Sequence, residues 1–235
     1  MDPLTIRYLK TYQIWHHRRL LLTHLRNPIP ELRFIERCLE VDSKNYHTWS
    51  YRQWLLAYFI DDDDLWRGEL DFVENAIGDD VRNNSAWHHR YFIVFGCRVR
   101  PGEEDRARVA RRELTYVLLT QSTLYLMHQN SFTKQSISLA PNNPSAWNYL
   151  RGILDHMKLP YSLLARFVKP YTVPLGSQRV DVVDLENPPP SHGAQLPCVH
   201  ALEFMADIHE QTGVKDNILR AVEVKSSPLI VSGCL

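Results

Sequence analysis

The sequence lacks the features that would place it outside the cell or in a membrane. Its four cysteines include no Cys-x-x-Cys pair, which argues against a disulfide framework or a cysteine-rich zinc site and favours a reducing, cytoplasmic compartment. The first ten residues contain no apolar signal-peptide core, and no apolar run approaches the roughly 18 residues of a membrane span. Cys234 is second from the end rather than fourth, so we expect no C-terminal lipidation.

An excess of charge is also missing. The 27 basic side chains match the 27 acidic ones, so net charge gives no general attraction for nucleic acid or for anionic membranes. Any anion site must therefore come from the local placement of a few basic groups. The 235 residues, 44% of them hydrophobic, suffice for one or two domains or for one elongated repeat array.

What the sequence does contain is a repeat centred on tryptophan. Three segments share the pattern Tyr/Asn-x-x-Trp-x-x-Arg, and a fourth keeps the tryptophan but has Pro144 at the first position and Leu150 in place of the arginine. The repeated tryptophans are Trp15, Trp49, Trp87 and Trp147. A tryptophan that recurs once per repeat indicates packing, and the arginine three residues later is expected to hold a neighbouring turn or carboxylate.

The repeat predicts an all-α protein, an α-solenoid of helical hairpins that forms a single domain over residues 1–235. Asn, Ser or Asp before each apolar pattern marks a helix start. The predicted repeat helices lie near 10–25, 44–59, 83–96 and 143–157. Amphipathic segments at 30–42 and 69–80 provide the second helix of two hairpins.

Three stretches depart from the repeat. Residues 118–137 contain no acidic residue and one basic residue, and they are interpreted as an insertion, either a genuine loop or a retained non-coding stretch. The proline-rich residues 165–196 are predicted to be irregular, with a last helix over 197–212. No helix or polar cap is predicted before Lys10, so we expect either a partial chain or a partner that covers this end.

These motifs carry a specific resemblance. The segments Lys10–Arg19, Asp42–Trp54, Asp80–Phe92 and Asn142–Gly152 resemble successive repeats of the protein prenyltransferase α-subunit family. The resemblance covers about residues 10–155. Gln13 and the run Lys44–His47 favour the α subunit that farnesyltransferase and type I geranylgeranyltransferase share. That family carries further repeats before the position of Lys10, so the chain resembles an N-terminally truncated member.

The resemblance implies a crescent of helical hairpins wrapped around a β subunit, which carries the zinc, while Mg²⁺ accompanies the diphosphate and this chain binds no cofactor itself. The heterodimer would transfer farnesyl or geranylgeranyl from its diphosphate to the cysteine of a C-terminal Ca1a2X motif. Lys10 matches a diphosphate contact, Tyr12 lies beside it, and Gln13 matches a contact to the substrate carboxylate. Asn45, Tyr46 and His47 match a second active-site stretch.

The residue types suit this chemistry. As the cysteine sulfur bonds to C1 of the allylic diphosphate, negative charge grows on the departing pyrophosphate, and an aimed ammonium group stabilises that charge. Lys10 and Lys44 each stand five residues before a repeat tryptophan, at predicted helix starts, where a lysine is otherwise mildly unfavourable. We assign the functional contact to Lys10 and interpret Lys44 as solvated.

Two other features contain metal-ligating residue types, but we interpret both as structural rather than as metal sites. His16–His17 and His88–His89 are adjacent pairs, which point about 100° apart on a helix and cannot easily share one ion, so packing or surface roles are favoured. The acidic run Asp61–Asp64 lies between predicted helices and is interpreted as a solvated loop rather than a diphosphate site.

Three alternatives remain open from the sequence. The chain could be a non-catalytic helical-repeat scaffold, which would need only the tryptophans and apolar positions. It could be the α subunit of the Rab-type geranylgeranyltransferase, whose repeats are related. It could also be a defective fragment that binds no β subunit.

Overall fold

The computed structural model describes residues 2–96, 132–174, 184 and 187–213. All regular structure within these ranges is helical, which confirms the all-α fold class. The chain divides into two compact units, Met1–Glu103 and Glu104–Leu235, so a single domain over 1–235 stays a prediction. None of the helices in the described ranges is long and apolar enough to cross a membrane.

The first unit is a series of helices that pack both against neighbours in the chain and against helices further along it. The bounds are α1 Asp2–Arg7, α2 Tyr12–Leu25, α3 Ile29–Val41, α4 Tyr46–Tyr58, α5 Asp63–Trp66, α6 Glu69–Asp79 and α7 Asn84–Tyr91, followed by a π-helical turn Phe92–Gly96. Helix α4 packs against α2, α3 and α7, and α6 packs against α7. The repeat helices α2 and α4 begin two residues after their predicted starts.

The second unit contains the fourth repeat helix. Its bounds are α8 Phe132–Leu139, α9 Pro144–Met157, a 3₁₀ turn Tyr161–Leu164, α10 Ala165–Val168, a 3₁₀ turn Lys169–Thr172 and α11 Val199–Gln211. Trp147, Phe167, Tyr171 and Phe204 form its aromatic core, with ring centroids 5.2–6.2 Å apart.

Each repeat tryptophan fixes the turn that precedes its own helix. It is the fourth residue of the helix in all four cases, and helical side chains point back toward the N-terminus. The indole N–H therefore reaches the backbone carbonyl six residues earlier, at 2.7–2.8 Å in every repeat. The acceptors are the carbonyls of Leu9, Ser43, Val81 and Pro141.

Each repeat arginine of the first unit reaches a carboxylate sixteen residues earlier. The three ion pairs are Arg18–Asp2, Arg52–Glu36 and Arg90–Glu74, at 2.9, 3.5 and 3.0 Å. Two of the arginines also form paired hydrogen bonds with a glutamate on a later helix, Arg18 with Glu31 and Arg52 with Glu69. The expectation that these arginines hold neighbouring carboxylates is confirmed.

The structure corrects three sequence expectations. Helix α1 precedes Lys10, where no helix was predicted; it is short, and its Asp2 pairs with Arg18. Residues 132–137 of the predicted insertion belong to α8, because Thr133 and Ile137 share a buried face that packs against α9. Residues 118–131 lie outside the described residues.

The third correction concerns the predicted irregular stretch 165–196. Its first eight residues form α10 and the following 3₁₀ turn. Pro170 does not prevent this, because it stands at the start of that turn, where no N–H is needed. Phe167, Val168 and Tyr171 are buried and supply the apolar contacts that stabilise these short helices.

A buried polar contact of the first unit joins helices α4, α6 and α7 of two successive repeats. Glu69 accepts hydrogen bonds from Arg52 and lies 2.6 Å from Nε2 of His89, and all three side chains are buried. Burial by itself would raise the pKa of Glu69, but Arg52 and His89 outweigh it and lower that pKa to about 2. Burial lowers the pKa of His89 and outweighs the attraction of Glu69. It follows that Glu69 is ionised and lies between Arg52 and a neutral His89.

We expect Trp15→Phe to destabilise the chain by roughly 2–4 kcal/mol, because it leaves the Leu9 carbonyl without its donor and removes buried ring atoms. Tyr12→Phe, on the same helix but mostly exposed, should cost under about 0.5 kcal/mol. Urea unfolding followed by circular dichroism measures both. Equal losses would contradict a special role for the indole bond.

We expect the free energy of unfolding to fall as pH is lowered below about 6.5, because His89 gains a proton more readily in the unfolded chain. A second loss, on the order of 3 kcal/mol, should follow between about pH 4.5 and 2, as Glu69 becomes protonated. Urea unfolding at stepped pH values measures both.

His89→Gln should flatten the first decline, since glutamine can still donate to Glu69 but does not titrate. His88→Gln is the matched control, because His88 is exposed and adjacent in sequence. If both variants keep the wild-type pH profile, His89 is not its cause.

Candidate functional site

The six predicted site residues lie at the starts of two adjacent repeat helices. Lys10 is in the turn before α2, and Tyr12 and Gln13 are the first two residues of α2. Asn45 is the N-cap of α4, and Tyr46 and His47 are its first two residues. The equivalent positions of successive repeats thus carry both halves of the candidate site.

Helices α2 and α4 run in the same direction, which brings these starts to one end of the unit. Three aromatic contacts follow in the same order along both helices: Trp15 with Tyr51, Arg19 with Trp54, and Arg26 with Tyr58, at 5.1, 5.2 and 5.5 Å. Parallel neighbours start at a common edge, so the two halves of the site face the same side of the repeat stack.

The first residue of each helix is an exposed tyrosine. Tyr12 is 61% exposed and Tyr46 is 76% exposed, whereas Trp15 and Trp49, three residues later, are buried. The ring of Tyr12 stacks on His16 at 6.2 Å, and that of Tyr46 meets His47 edge-on at 5.6 Å. Large aromatic side chains left this open offer contact area that packing within the unit does not use.

The structure separates two lysines that the repeat makes equivalent. The ammonium group of Lys44 lies 2.7 Å from Asp80, and this hydrogen bond lowers the pKa of Asp80. Lys10 is exposed and, within the described part of the chain, has no ion-pair partner. An incoming anion would compete with a carboxylate at Lys44 but not at Lys10. This difference favours the diphosphate role predicted for Lys10.

The side chain of Asn45 caps the N-terminus of helix α4. It is buried, and its side-chain oxygen accepts hydrogen bonds from the backbone N–H and the hydroxyl of Thr48, as expected of a helix cap. Asn83 and Asn143 cap α7 and α9 in the same way. The cap alone explains the asparagine in these repeats, and a substrate contact by Asn45 stays a prediction.

The pair His88–His89 has the packing and surface roles predicted for it, whereas the acidic run is not a loop throughout, because Asp63 and Asp64 begin helix α5. His89 is buried against Glu69, and His88 is exposed beside Gln53. Asp62 caps the short helix α5, while its three acidic neighbours are exposed. Across the described ranges, no group of three or more His, Cys, Asp or Glu side chains is arranged to hold a metal ion.

Sequence reasoning missed two features at this edge. Asp80 pairs with Lys44 although it belongs to the following repeat, and no pattern within one repeat could reveal that pairing. Tyr8 is a third exposed tyrosine next to Lys10, and it lies outside the repeated motif. The pairing of Asp80 with Lys44 and the place of Tyr8 beside the site are recognised only in the folded chain, where the helix starts lie together.

The tryptophan-centred repeats match a known protein family. The model of the protein prenyltransferase alpha subunit repeat matches residues 1–25, 30–59, 66–97 and 129–157. These four matches include the four tryptophan-centred helices, and the last one begins inside the predicted insertion. The chain belongs to the protein prenyltransferase alpha subunit repeat family.

Several similar curated proteins are alpha subunits of type-2 geranylgeranyl transferase. The rat protein is 32% identical over 66% of this chain and 25% of its own length. The human protein is 33% identical over 62% and 23%, and that of Saccharomyces cerevisiae 30% identical over 47% and 36%. The matches thus span about a quarter to a third of the length of these relatives.

A solved structure matches more of the chain. Candida albicans protein geranylgeranyltransferase-I complexed with GGPP is similar over 97% of this chain and 65% of its own, with a TM-score of 0.68 and 29% sequence identity. The curated relatives and the solved structure carry the names of two different types of enzyme.

Proposed function

We propose that the chain is the α subunit of a heterodimeric protein prenyltransferase. The observation that carries this proposal is the division of each repeat into a buried half and an exposed half. The buried Trp and Arg build the stack, while Lys10, Tyr12, Gln13, Tyr46 and His47 leave their side chains accessible at one edge. A scaffold needs the buried half alone, so the exposed half favours a binding site completed by a partner.

The reaction is transfer of farnesyl or geranylgeranyl to the cysteine of a Ca1a2X motif. A bond forms between the cysteine sulfur and C1 of the isoprenoid, the C1–O bond breaks, and pyrophosphate leaves. Zinc on the β subunit would lower the pKa of the thiol, and Mg²⁺ would accompany the diphosphate. Lys10, exposed and without a counter-ion among the residues that the structure describes, would hold the departing pyrophosphate, where an aimed cation stabilises the growing charge.

The type shared by farnesyltransferase and geranylgeranyltransferase-I is our first choice. Gln13 and the Lys44–His47 run resemble that type, and the similar geranylgeranyltransferase-I structure covers 97% of this chain. The Rab-type enzyme is the second candidate, because the similar curated proteins are type-2 alpha subunits. Both candidates use the same edge of the repeat stack and differ in the β subunit that it meets.

Co-expression with a panel of β subunits separates the two types. We expect a tagged chain to co-purify with the β subunit of farnesyltransferase or of geranylgeranyltransferase-I, since the predicted contact residues match that type. Capture followed by mass spectrometry of the eluted chains is the measurement. Selective capture of the Rab-type β subunit would favour the second candidate, and capture of none would overturn the subunit proposal.

In an active heterodimer, Lys10→Ala should lower kcat about 10²–10³-fold, because an aimed charge is lost where the pyrophosphate departs. Lys10→Arg should restore part of the rate. Arg33→Ala, which removes an exposed cation on α3, is the control and should leave kcat within about twofold. Unchanged turnover in Lys10→Ala, with intact assembly, would remove Lys10 from the site.

A further inference from the structure

A groove of about 350 Å³ lies between the C-terminal halves of α3 and α6 in the first unit. Its apolar lining comes from Leu39, Trp49, Phe72 and Ala76, and the rings of Trp49 and Phe72 are 6.0 Å apart. An apolar floor open to solvent has room for one or two side chains of another molecule.

The walls of the groove are negative. Among the described residues, the lining includes the carboxylates of Glu36, Glu40, Asp79 and Asp80 and no lysine or arginine. Helices α3 and α6 both end at this groove, at Val41 and Asp79, and a helix C-terminus adds partial negative charge. The charge of the groove therefore complements a cationic segment.

Two of the four carboxylates already have internal partners. Asp80 pairs with Lys44 at 2.7 Å, and Glu36 lies 3.5 Å from Arg52. Glu40 and Asp79 stand on opposite walls, both exposed, and neither has an ion-pair partner among the residues that the structure describes. A guanidinium or ammonium group between them would gain two carboxylates. The face of Phe72 already carries the Arg52 guanidinium, 3.7 Å from the ring centroid.

The groove adjoins the candidate site. Its lining residues Ser43 and Asn83 lie in the turns that directly precede α4 and α7, next to Lys44 and Tyr46. A chain that covers the exposed tyrosines would therefore pass close to this groove.

We infer that the groove receives a segment of the β subunit that places an arginine or lysine between Glu40 and Asp79 and an apolar neighbour on Trp49 and Phe72. This inference rests on the proposed function, because it takes the β subunit as the partner. The groove would be a second contact with the β subunit beside the candidate site, and its specificity would come from charge rather than from the repeat motif.

The test is the dissociation constant of the full chain and the β subunit captured in co-expression, measured in purified form at low and moderate salt. Glu40→Lys combined with Asp79→Lys should weaken binding at low salt at least about tenfold, because like charges then face each other. Glu40→Gln with Asp79→Gln should weaken it less and reduce its salt dependence. Asp61→Lys with Asp71→Lys makes the same charge change on exposed positions outside the groove and should stay within about twofold.

The possible failures are distinguishable. Suppose that the wild-type chain binds the β subunit. If the two groove variants keep the wild-type circular dichroism and bind the β subunit as tightly as the wild type does, the inference is overturned and the proposed function stands. If the outside pair weakens binding as much as the groove pair, general charge rather than the groove is responsible, which also overturns the inference. If the wild-type chain binds no β subunit, both fall together.

Discussion

The hydrogen bond from each repeat tryptophan to the carbonyl six residues earlier sets the geometry on which the site depends. It folds the preceding turn against the first turn of its own helix, at 2.7–2.8 Å in all four repeats. Because the turn is fixed, residues in it and just after it have defined positions. Lys10, Tyr12, Lys44 and Tyr46 are such residues, so the bond that organises the core also presents the exposed edge.

The sequence predicted the helices well because one strong signal repeats. The recurring tryptophan locates each helix start within two residues, as α2 and α4 show. Helix α8 was missed because its buried positions include Thr133, Lys134 and Ser136, which resemble a polar loop until their partners are known. Helix α10 was hidden by the surrounding prolines, since its stability comes from the contacts of Phe167 and Val168 rather than from local propensity.

The candidate site was only partly accessible to sequence reasoning. The motif placed Lys10 and Lys44 in equivalent positions, and charge patterns within one repeat could not separate them. Asp80, from the following repeat, pairs with Lys44, so Lys10 is the one of these two lysines that has no ion-pair partner among the described residues. Likewise, Asn45 resembles a site residue in sequence, whereas its buried cap bonds explain its presence without a ligand. Contacts between repeats carry this information, and they exist only in the folded chain.

The carbonyl of Ser43 accepts two hydrogen bonds, one from Trp49 in its own repeat and one from the Asn83 side chain, which caps the next repeat helix. Successive repeats are thus joined through a backbone atom that no substitution can remove. Such a junction constrains how the array can change in evolution. A duplication or deletion of repeats preserves this junction only when the chain is cut outside the turn. The segment that can be gained or lost as one piece is therefore a turn together with the two helices that flank it.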